Sequence, residues 1–297
     1  MKFGAIDVGT NAARLLIGEV DDANEGSLVK KISYTRIPLR LGLEVFENGL
    51  ISKQKATEFK KSMLAFKLIA EVFDVVELRA CATSAMREAS NGKEIQAMIK
   101  KETGVSLEII DGDQEASIIF SSFLLVDDYD LSQPFIVIDV GGGSTEISIF
   151  YKGEKTNAKS FKIGTIRMLK DKVEGDIWPK IENWLSKNVR PNKDYLVFAT
   201  GGNINKIHKL LGKKGNEAIP VKELKDLSVD LRSLSLSKRI SKYKLKPDRA
   251  DVIVPATKIF LKIIKKLECE ELLVPKIGLS DGMIHQMHRK YSNKNIK

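Results

Sequence analysis

Two stretches of the chain place the same residue types in the same order. Ile6-Asp7-Val8-Gly9-Thr10-Asn11 and Ile138-Asp139-Val140-Gly141-Gly142-Gly143-Ser144-Thr145 each leave an apolar run through an aspartate into a glycine turn. Such a turn can aim successive backbone N–H groups into a concavity that holds phosphate oxygens. Glycine serves there because a Cβ would keep the phosphate away or forbid a positive φ. The aspartate that ends the first strand sits beside those oxygens and can hold a divalent cation, which prefers hard oxygen ligands. Thr10, Asn11, Ser144 and Thr145 add side-chain donors. One such turn alone is as readily an ordinary β-hairpin. Two of them, with a third at Gly201-Gly202 after the apolar run 195–200, favour phosphate. The candidate phosphate ligands are therefore Gly9, Thr10, Asn11, Gly141, Gly142, Gly143, Ser144, Thr145, Gly201 and Gly202.

Other chemistries lack their residues. The chain holds no Gly-x-x-x-x-Gly-Lys-Ser/Thr loop, no Gly-x-Gly-x-x-Gly after a strand, and no serine-hydrolase or zinc-protease motif. Its three histidines are His208, His285 and His288. The last two stand i, i+3 on an expected C-terminal helix, without a further His or Cys nearby to complete a metal site, so they read as surface or packing residues.

Strands must carry the turns, and the pattern supplies them at 2–7, 14–20 and 30–36, with turn-rich segments at 8–11 and 21–26. Apolar residues at helical spacing (Ala56, Phe59, Met63, Phe66, Ala70) predict a helix over 52–73 with Ser52 as its N-cap. A strand at 75–82, a helix at 93–103 stopped by Gly104, a strand at 106–110 and a helix at 114–125 follow. The acidic, turn-rich segment 127–134 sets a domain boundary near 125–133. Domains are expected at 1–125 and 126–297, with the final helix, about 281–297, able to pack back on the first. The second half restarts the pattern, with strands at 135–139, 146–151, 155–162 and 195–200. A strand–acid–glycine-turn–strand unit that recurs after 132 residues implies duplication, and hence two similar α/β domains facing each other across a cleft.

A length of 297 residues agrees with two domains at roughly 100–200 residues each. A hydrophobic fraction of 43% with 30% charged residues excludes a disordered chain, a collagen-like repeat and a disulfide scaffold. The longest apolar run, 195–199, is far short of the roughly 20 residues of a membrane span. Asp7 comes too early for a secretory signal, so a soluble cytoplasmic protein with no membrane partner is expected. Cys81 and Cys269 read as buried free thiols of a reducing compartment. The net charge of +10 favours a polyanionic partner, and the surplus concentrates in residues 206–246, where twelve Lys and Arg face four acids. No zinc-finger spacing or aromatic RNA-binding signature accompanies it, so no nucleic acid is expected, and for any single lysine a solvated helical face is the plainer reading.

Several longer segments identify a family. Ile6-Asp7-Val8-Gly9-Thr10-Asn11, Ala82-Thr83-Ser84-Ala85-Met86-Arg87-Glu88-Ala89-Ser90-Asn91, Ile110-Asp111-Gly112-Asp113-Gln114-Glu115-Ala116 and Asp139-Val140-Gly141-Gly142-Gly143-Ser144-Thr145-Glu146 resemble the Ppx/GppA family. Further matches are Gly164-Thr165-Ile166-Arg167, Thr200-Gly201-Gly202-Asn203, Arg249-Ala250-Asp251-Val252-Ile253 and Gly278-Leu279-Ser280-Asp281-Gly282-Met283. They run in family order over nearly the whole chain. The resemblance implies two actin-like (ribonuclease H-like) domains flanking a cleft, in the superfamily of sugar kinases, actin and heat-shock proteins. It implies an exopolyphosphatase or a guanosine pentaphosphate phosphohydrolase, in the short form without the extra C-terminal helical domains of longer members.

By the same resemblance Glu115 is the general base that activates water, and Arg87 binds phosphate. Asp139 and Glu146 hold Mg²⁺, with or without a monovalent cation, and Asp7 contributes. A homodimer is also implied. The chain departs from the family pattern at Ala12, where a serine is usual, and at Gln114, which replaces the first of two adjacent acids and leaves Glu115 as the candidate. A kinase of the same superfamily and a non-catalytic sensor of polyphosphate or a guanosine alarmone are the competing readings. Glu115, Asp139 and Glu146 together argue against the sensor, since binding alone needs no general base.

Overall fold

The computed structural model describes residues 1–20, 29–123, 129–190 and 194–295. The turn expected at 21–26 and Asp127-Asp128 of the boundary segment lie outside the described residues. The chain divides into two compact units, Met1–Tyr129 together with Ile277–Lys297, and Asp130–Lys276.

The first unit is built on strands β1 (Lys2–Val8), β2 (Ala13–Glu19) and β3 (Lys30–Ile37), helices α1 (Leu41–Asn48) and α2 (Lys53–Val72), strand β4 (Glu77–Ala82), helices α3 (Ser84–Glu88) and α4 (Gly92–Thr103), strand β5 (Leu107–Ile109) and helix α5 (Gly112–Phe123). Its sheet has the order β3-β2-β1-β4-β5. The first three strands pair antiparallel, while β4 joins β1, and β5 joins β4, in parallel. β1 and β2 are buried along most of their length, as strands covered on both faces require, and the lysine-rich β3 forms an exposed edge. Ser52 caps α2 as its type and place foretell, its hydroxyl accepting from the Lys55 amide at 3.2 Å.

The second unit repeats this plan. It comprises β6 (Phe135–Val140), β7 (Thr145–Tyr151), β8 (Glu154–Phe161), α6 (Thr165–Leu169), α7 (Ile177–Asn188), β9 (Leu196–Thr200), α8 (Gly202–Leu210), β10 (Ile219–Pro220), α9 (Val221–Ser233), α10 (Leu236–Tyr243), α11 (Pro247–Ala250), α12 (Ile253–Leu267) and β11 (Glu271–Leu272). The sheet order β8-β7-β6-β9 matches β3-β2-β1-β4 strand for strand. Leu273, next to β11, bridges in parallel to Phe198 of β9, so a fifth segment lies where β5 lies in the first sheet. Ile136, Ile138, Ile147, Phe260 and Ile263 belong to its apolar core.

The last helix, α13 (Leu279–Asn295), packs on α5, β1 and β2 of the first unit. A Cβ on Gly282 would stand 1.9 Å from the Ile118 carbonyl oxygen, so only glycine allows this approach to α5. His288 meets Phe3 edge-on and His285 is buried, both as packing residues. Lys31 of β3 pairs with the buried Asp281 at 2.9 Å.

Cys81 and Cys269 are free. Burial pushes the Cys81 thiol up to about 12. Cys269, expected to be buried, is half-buried, because it follows α12 on the way to a two-residue strand, and its thiol stands at about 11. Among the described residues no helix is long and apolar enough to cross a membrane. The basic run 206–246 is spread over α8, α9 and α10. No residue of α10 is buried, and Lys242 and Lys213 reach Asp230 and Glu223 at 2.7 and 2.9 Å.

Candidate active site

Both glycine turns close in the same way. The Gly9 amide donates to the Ala12 carbonyl at 3.1 Å, and the Gly141 amide to the Ser144 carbonyl at 3.0 Å. The next helix of each unit then takes the turn's carbonyls. Arg40 and Gly42 donate their amides to Asn11 and Thr10, while Thr165 and Ile166 donate theirs to Gly141 and Gly142, at 2.8–3.1 Å. With the carbonyls so engaged, no acceptor among the described residues takes the amide of Gly142 or Gly143. Backbone donors left this way seek an anion or water. Gly164 makes the geometry fit, for a Cβ there would lie 2.4 Å from the carbonyl carbon of Gly142. The buried Arg167 adds a bond from its Nε to the Gly143 carbonyl at 2.8 Å.

In the first unit the candidates gather at the ends of β1, β4 and β5. Thr10 Oγ1 and Ser84 Oγ are 2.9 Å apart, tying the turn to the start of α3. Arg87, on α3, donates from Nη1 to the Ile110 carbonyl at 2.6 Å, which fixes it against the segment leading into α5. That segment is a capping box. The Gln114 amide donates to Asp111 Oδ1 at 2.8 Å, and the Asp111 amide to Gln114 Oε1 at 3.0 Å. Gln114 thus has a structural task, and Glu115 follows it in the first turn, half-buried with Oε2 shielded from solvent. Asp7 and Glu115 both lie near enough to Cys81 for their charges to hold its thiol protonated, after burial and Glu108. Asp7 itself is paired with Arg14, which stands opposite it across β1 and β2.

In the second unit the same register place holds two acids. Asp139 is directly opposite Glu146 across β6 and β7. Glu146 is 4% exposed and accepts from Ser160 Oγ at 2.7 Å. Like charges directly opposite on antiparallel strands repel, and a hard cation between such oxygens removes the cost. The donor set therefore fits Mg²⁺. Asp7 lies in the other unit and carries its own arginine, and among the described residues no group of three or more His, Cys, Asp or Glu is placed to hold a metal. Gly201 closes against this pair with φ of 100°, where a Cβ would stand 2.6 Å from Asp139 Oδ1.

Helix α8 begins at Gly202 and carries cations away from the turn. Arg249 donates to Asn203 Oδ1 at 3.3 Å. Burial, then Lys209, then Arg249 hold the Lys206 ammonium below the usual lysine range. Ser84, Arg14, Ser160, Gly164 and Arg167 escaped selection from the sequence as site residues. The register of the duplicated hairpins singles out Arg14, as the counterpart of Glu146, while Ser84, Gly164 and Arg167 lie in quoted motifs; Ser160 has no local signal.

Comparisons with known proteins agree with this geometry. The chain is 26% identical to exopolyphosphatase 1 of Mycobacterium leprae over 96% of its own length and 88% of the relative's. An exopolyphosphatase structure from Cytophaga hutchinsonii superposes with a TM-score of 0.82 at 22% identity, covering 97% of each chain. A Ppx/GppA family member from Aquifex aeolicus superposes with a TM-score of 0.78 at 23% identity, covering 98% of each. These two structures share the actin-like α/β fold. The model of the Ppx/GppA phosphatase family matches residues 19–291, and the chain belongs to that family of phosphoanhydride hydrolases.

Proposed function

We propose that the protein is an exopolyphosphatase, which hydrolyses the terminal phosphoanhydride of inorganic polyphosphate with Mg²⁺ and releases orthophosphate. The observation that carries the reading is the duplicated glycine turn whose two copies differ at one register place, Asp7 with Arg14 in one and Asp139 with Glu146 in the other. The crowded cations of α8 suit a chain of phosphates, and full-length similarity to a mycobacterial exopolyphosphatase supports the choice of substrate.

In this reading water attacks the terminal phosphorus in line and its proton passes to Glu115. The bond from that phosphorus to the bridging oxygen breaks, and the shortened chain leaves as an anion. Arg87 of the first unit takes up charge on the transferring group, and in the second unit the Gly142 and Gly143 amides are donors for phosphate oxygens. Mg²⁺ held by Asp139 and Glu146 would neutralise phosphate oxygens. Phosphate release from long-chain polyphosphate and from guanosine pentaphosphate, with Mg²⁺, beside Glu115→Gln, tests the proposal. Release from polyphosphate that the variant loses is expected. Release from guanosine pentaphosphate alone would move the substrate to the nucleotide, and release that the variant retains would remove Glu115 as the base.

A further inference from the structure

The two glycine turns differ in what holds their third peptide. Gly9, Thr10, Asn11 and Ala12 of the first correspond to Gly141, Gly142, Gly143 and Ser144 of the second, because the bonds that close the turns, Gly9 to Ala12 and Gly141 to Ser144, are equivalent. In the first turn the Asn11 carbonyl accepts from a backbone amide, that of Arg40, at 3.0 Å. In the second the Gly143 carbonyl accepts from a charged side chain, Arg167 Nε, at 2.8 Å. Arg167 is only 7% exposed, and arginine is seldom so deep unless it is bonded there. Three consecutive peptides are thus pinned from one side. The Thr165 amide takes the Gly141 carbonyl, the Ile166 and Arg167 amides share the Gly142 carbonyl, and the guanidinium takes the next. In a planar trans peptide the N–H points away from the C=O, so these bonds also aim the amides of Gly142, Gly143 and Ser144. Among the described residues none of the three amides has an acceptor.

We propose that Arg167 is a positioning residue for phosphate binding. It orients the Gly143–Ser144 peptide and makes the Ser144 amide the third donor of the turn, beside those of Gly142 and Gly143. A hydrogen bond from an ion is roughly twice as strong as a neutral one. In a low-dielectric setting it also polarises the peptide it meets, so the Ser144 N–H becomes the better donor. Because the guanidinium is buried, salt screens its charge little, and that charge adds to the potential a phosphate oxygen meets at the turn. The amides of Gly142 and Gly143 do not depend on it, since backbone groups of α6 hold the carbonyls that aim them. This role rests on the reading of the turn as a phosphate site, and it holds whichever phosphoanhydride the protein cleaves.

Amide resonances of isotope-labelled, deuterated protein, followed as orthophosphate is added, test this. Those of Gly142, Gly143 and Ser144 should move together in the unaltered protein. Arg167→Gln should abolish the Ser144 response, leave the other two, and weaken orthophosphate about 10–100-fold, as loss of one hydrogen bond to a charged group does. The KM for polyphosphate should rise by the same factor with kcat nearly unchanged. Arg167→Lys keeps the charge, so it should diminish the Ser144 response selectively and lose only part of the affinity, and it carries the test where Arg167→Gln does not fold. Three amides that ignore orthophosphate in the unaltered protein overturn the proposal, as does a Ser144 response left whole in every folded variant. Failure to release phosphate from polyphosphate, with the amide responses as expected, would remove that substrate and leave the role of Arg167 standing.

Discussion

Asp139 and Glu146 face each other across β6 and β7 at the register place that Asp7 and Arg14 share across β1 and β2. Duplication put two hairpins on one plan, and one residue then set them apart. In the first unit an arginine neutralises the aspartate from within. In the second, two carboxylates crowd one place, a repulsion that in the proposed reading a cation from solution relieves. Glu146→Gln keeps the bond to Ser160 but removes one charge. Its Mg²⁺ requirement should rise about 10–100-fold, the scale by which loss of a supporting metal group weakens a site. In EDTA its melting temperature should equal or exceed that of the unaltered protein, since the repulsion is gone. Phosphate release over a Mg²⁺ titration, with thermal melts in EDTA, gives both readings. An unchanged Mg²⁺ dependence would take Glu146 out of the metal site.

Glu115 is expected to act only in the chemical step. Glu115→Gln should lower kcat by about 10²–10⁴-fold, as loss of a general base does, while leaving the affinity for polyphosphate nearly the same. Asp111→Ala acts on the same residue from behind, by opening the capping box that fixes the first turn of α5. It should cost about 1 kcal/mol of stability and lower kcat as well. Kinetics and a denaturant melt separate the two variants, and full kcat in Asp111→Ala would show that the box does not position Glu115.

Much of this was legible in the sequence for identifiable reasons. Strands β1 to β9 and α2 announced themselves through apolar periodicity and through Ser52, whose capping bond the structure contains, while the two-residue strands β10 and β11 are too short to show. The duplication showed in Ile-Asp-Val-Gly. Helices α1 and α3 did not show, because eight and five residues are too few for a helical period to declare itself, and α1 opens after Arg40 in a left-handed conformation. Ser160 was invisible because its bond to Glu146 depends on β7–β8 register, not on neighbours in the chain. Gln114 looked like a departure from a family pattern, and its reason is local, the reciprocal bonds with Asp111.

The two glycines with the tightest surroundings should fail in different ways. Gly282→Ala forces α13 away from the Ile118 carbonyl and should destabilise the first unit by about 1–3 kcal/mol, the usual cost of overpacking. Gly164→Ala presses on Gly142 and Gly143, so it should damage phosphate release more than stability. Urea melts beside a phosphate-release assay compare them. Equal loss of stability in both, with activity following stability, would mean that the Gly164 contact serves packing alone.

His208 should govern part of the acid side of the stability curve. Its side chain is buried on α8, Nε2 is 2.8 Å from the Glu217 carbonyl, and Nδ1 is buried without a partner. Burial lowers its pKa, and the nearby Lys276 and Lys213 act in the same direction. A depressed histidine pKa means that the unfolded chain binds the proton first. The neutral ring therefore contributes its stability in full above the unfolded value of about 6.5, and that contribution is lost as pH falls below it. His285, also buried with a lowered pKa, adds to the same loss. His208→Gln can retain a donor toward Glu217 and has no proton to gain. Urea midpoints at pH 5 and pH 7.5 should therefore differ less in His208→Gln than in the unaltered protein, and less again when His285→Gln is added. If the difference between the two pH values stays the same in both variants, the acid sensitivity of the fold arises elsewhere, and the α8 histidine is a packing residue alone.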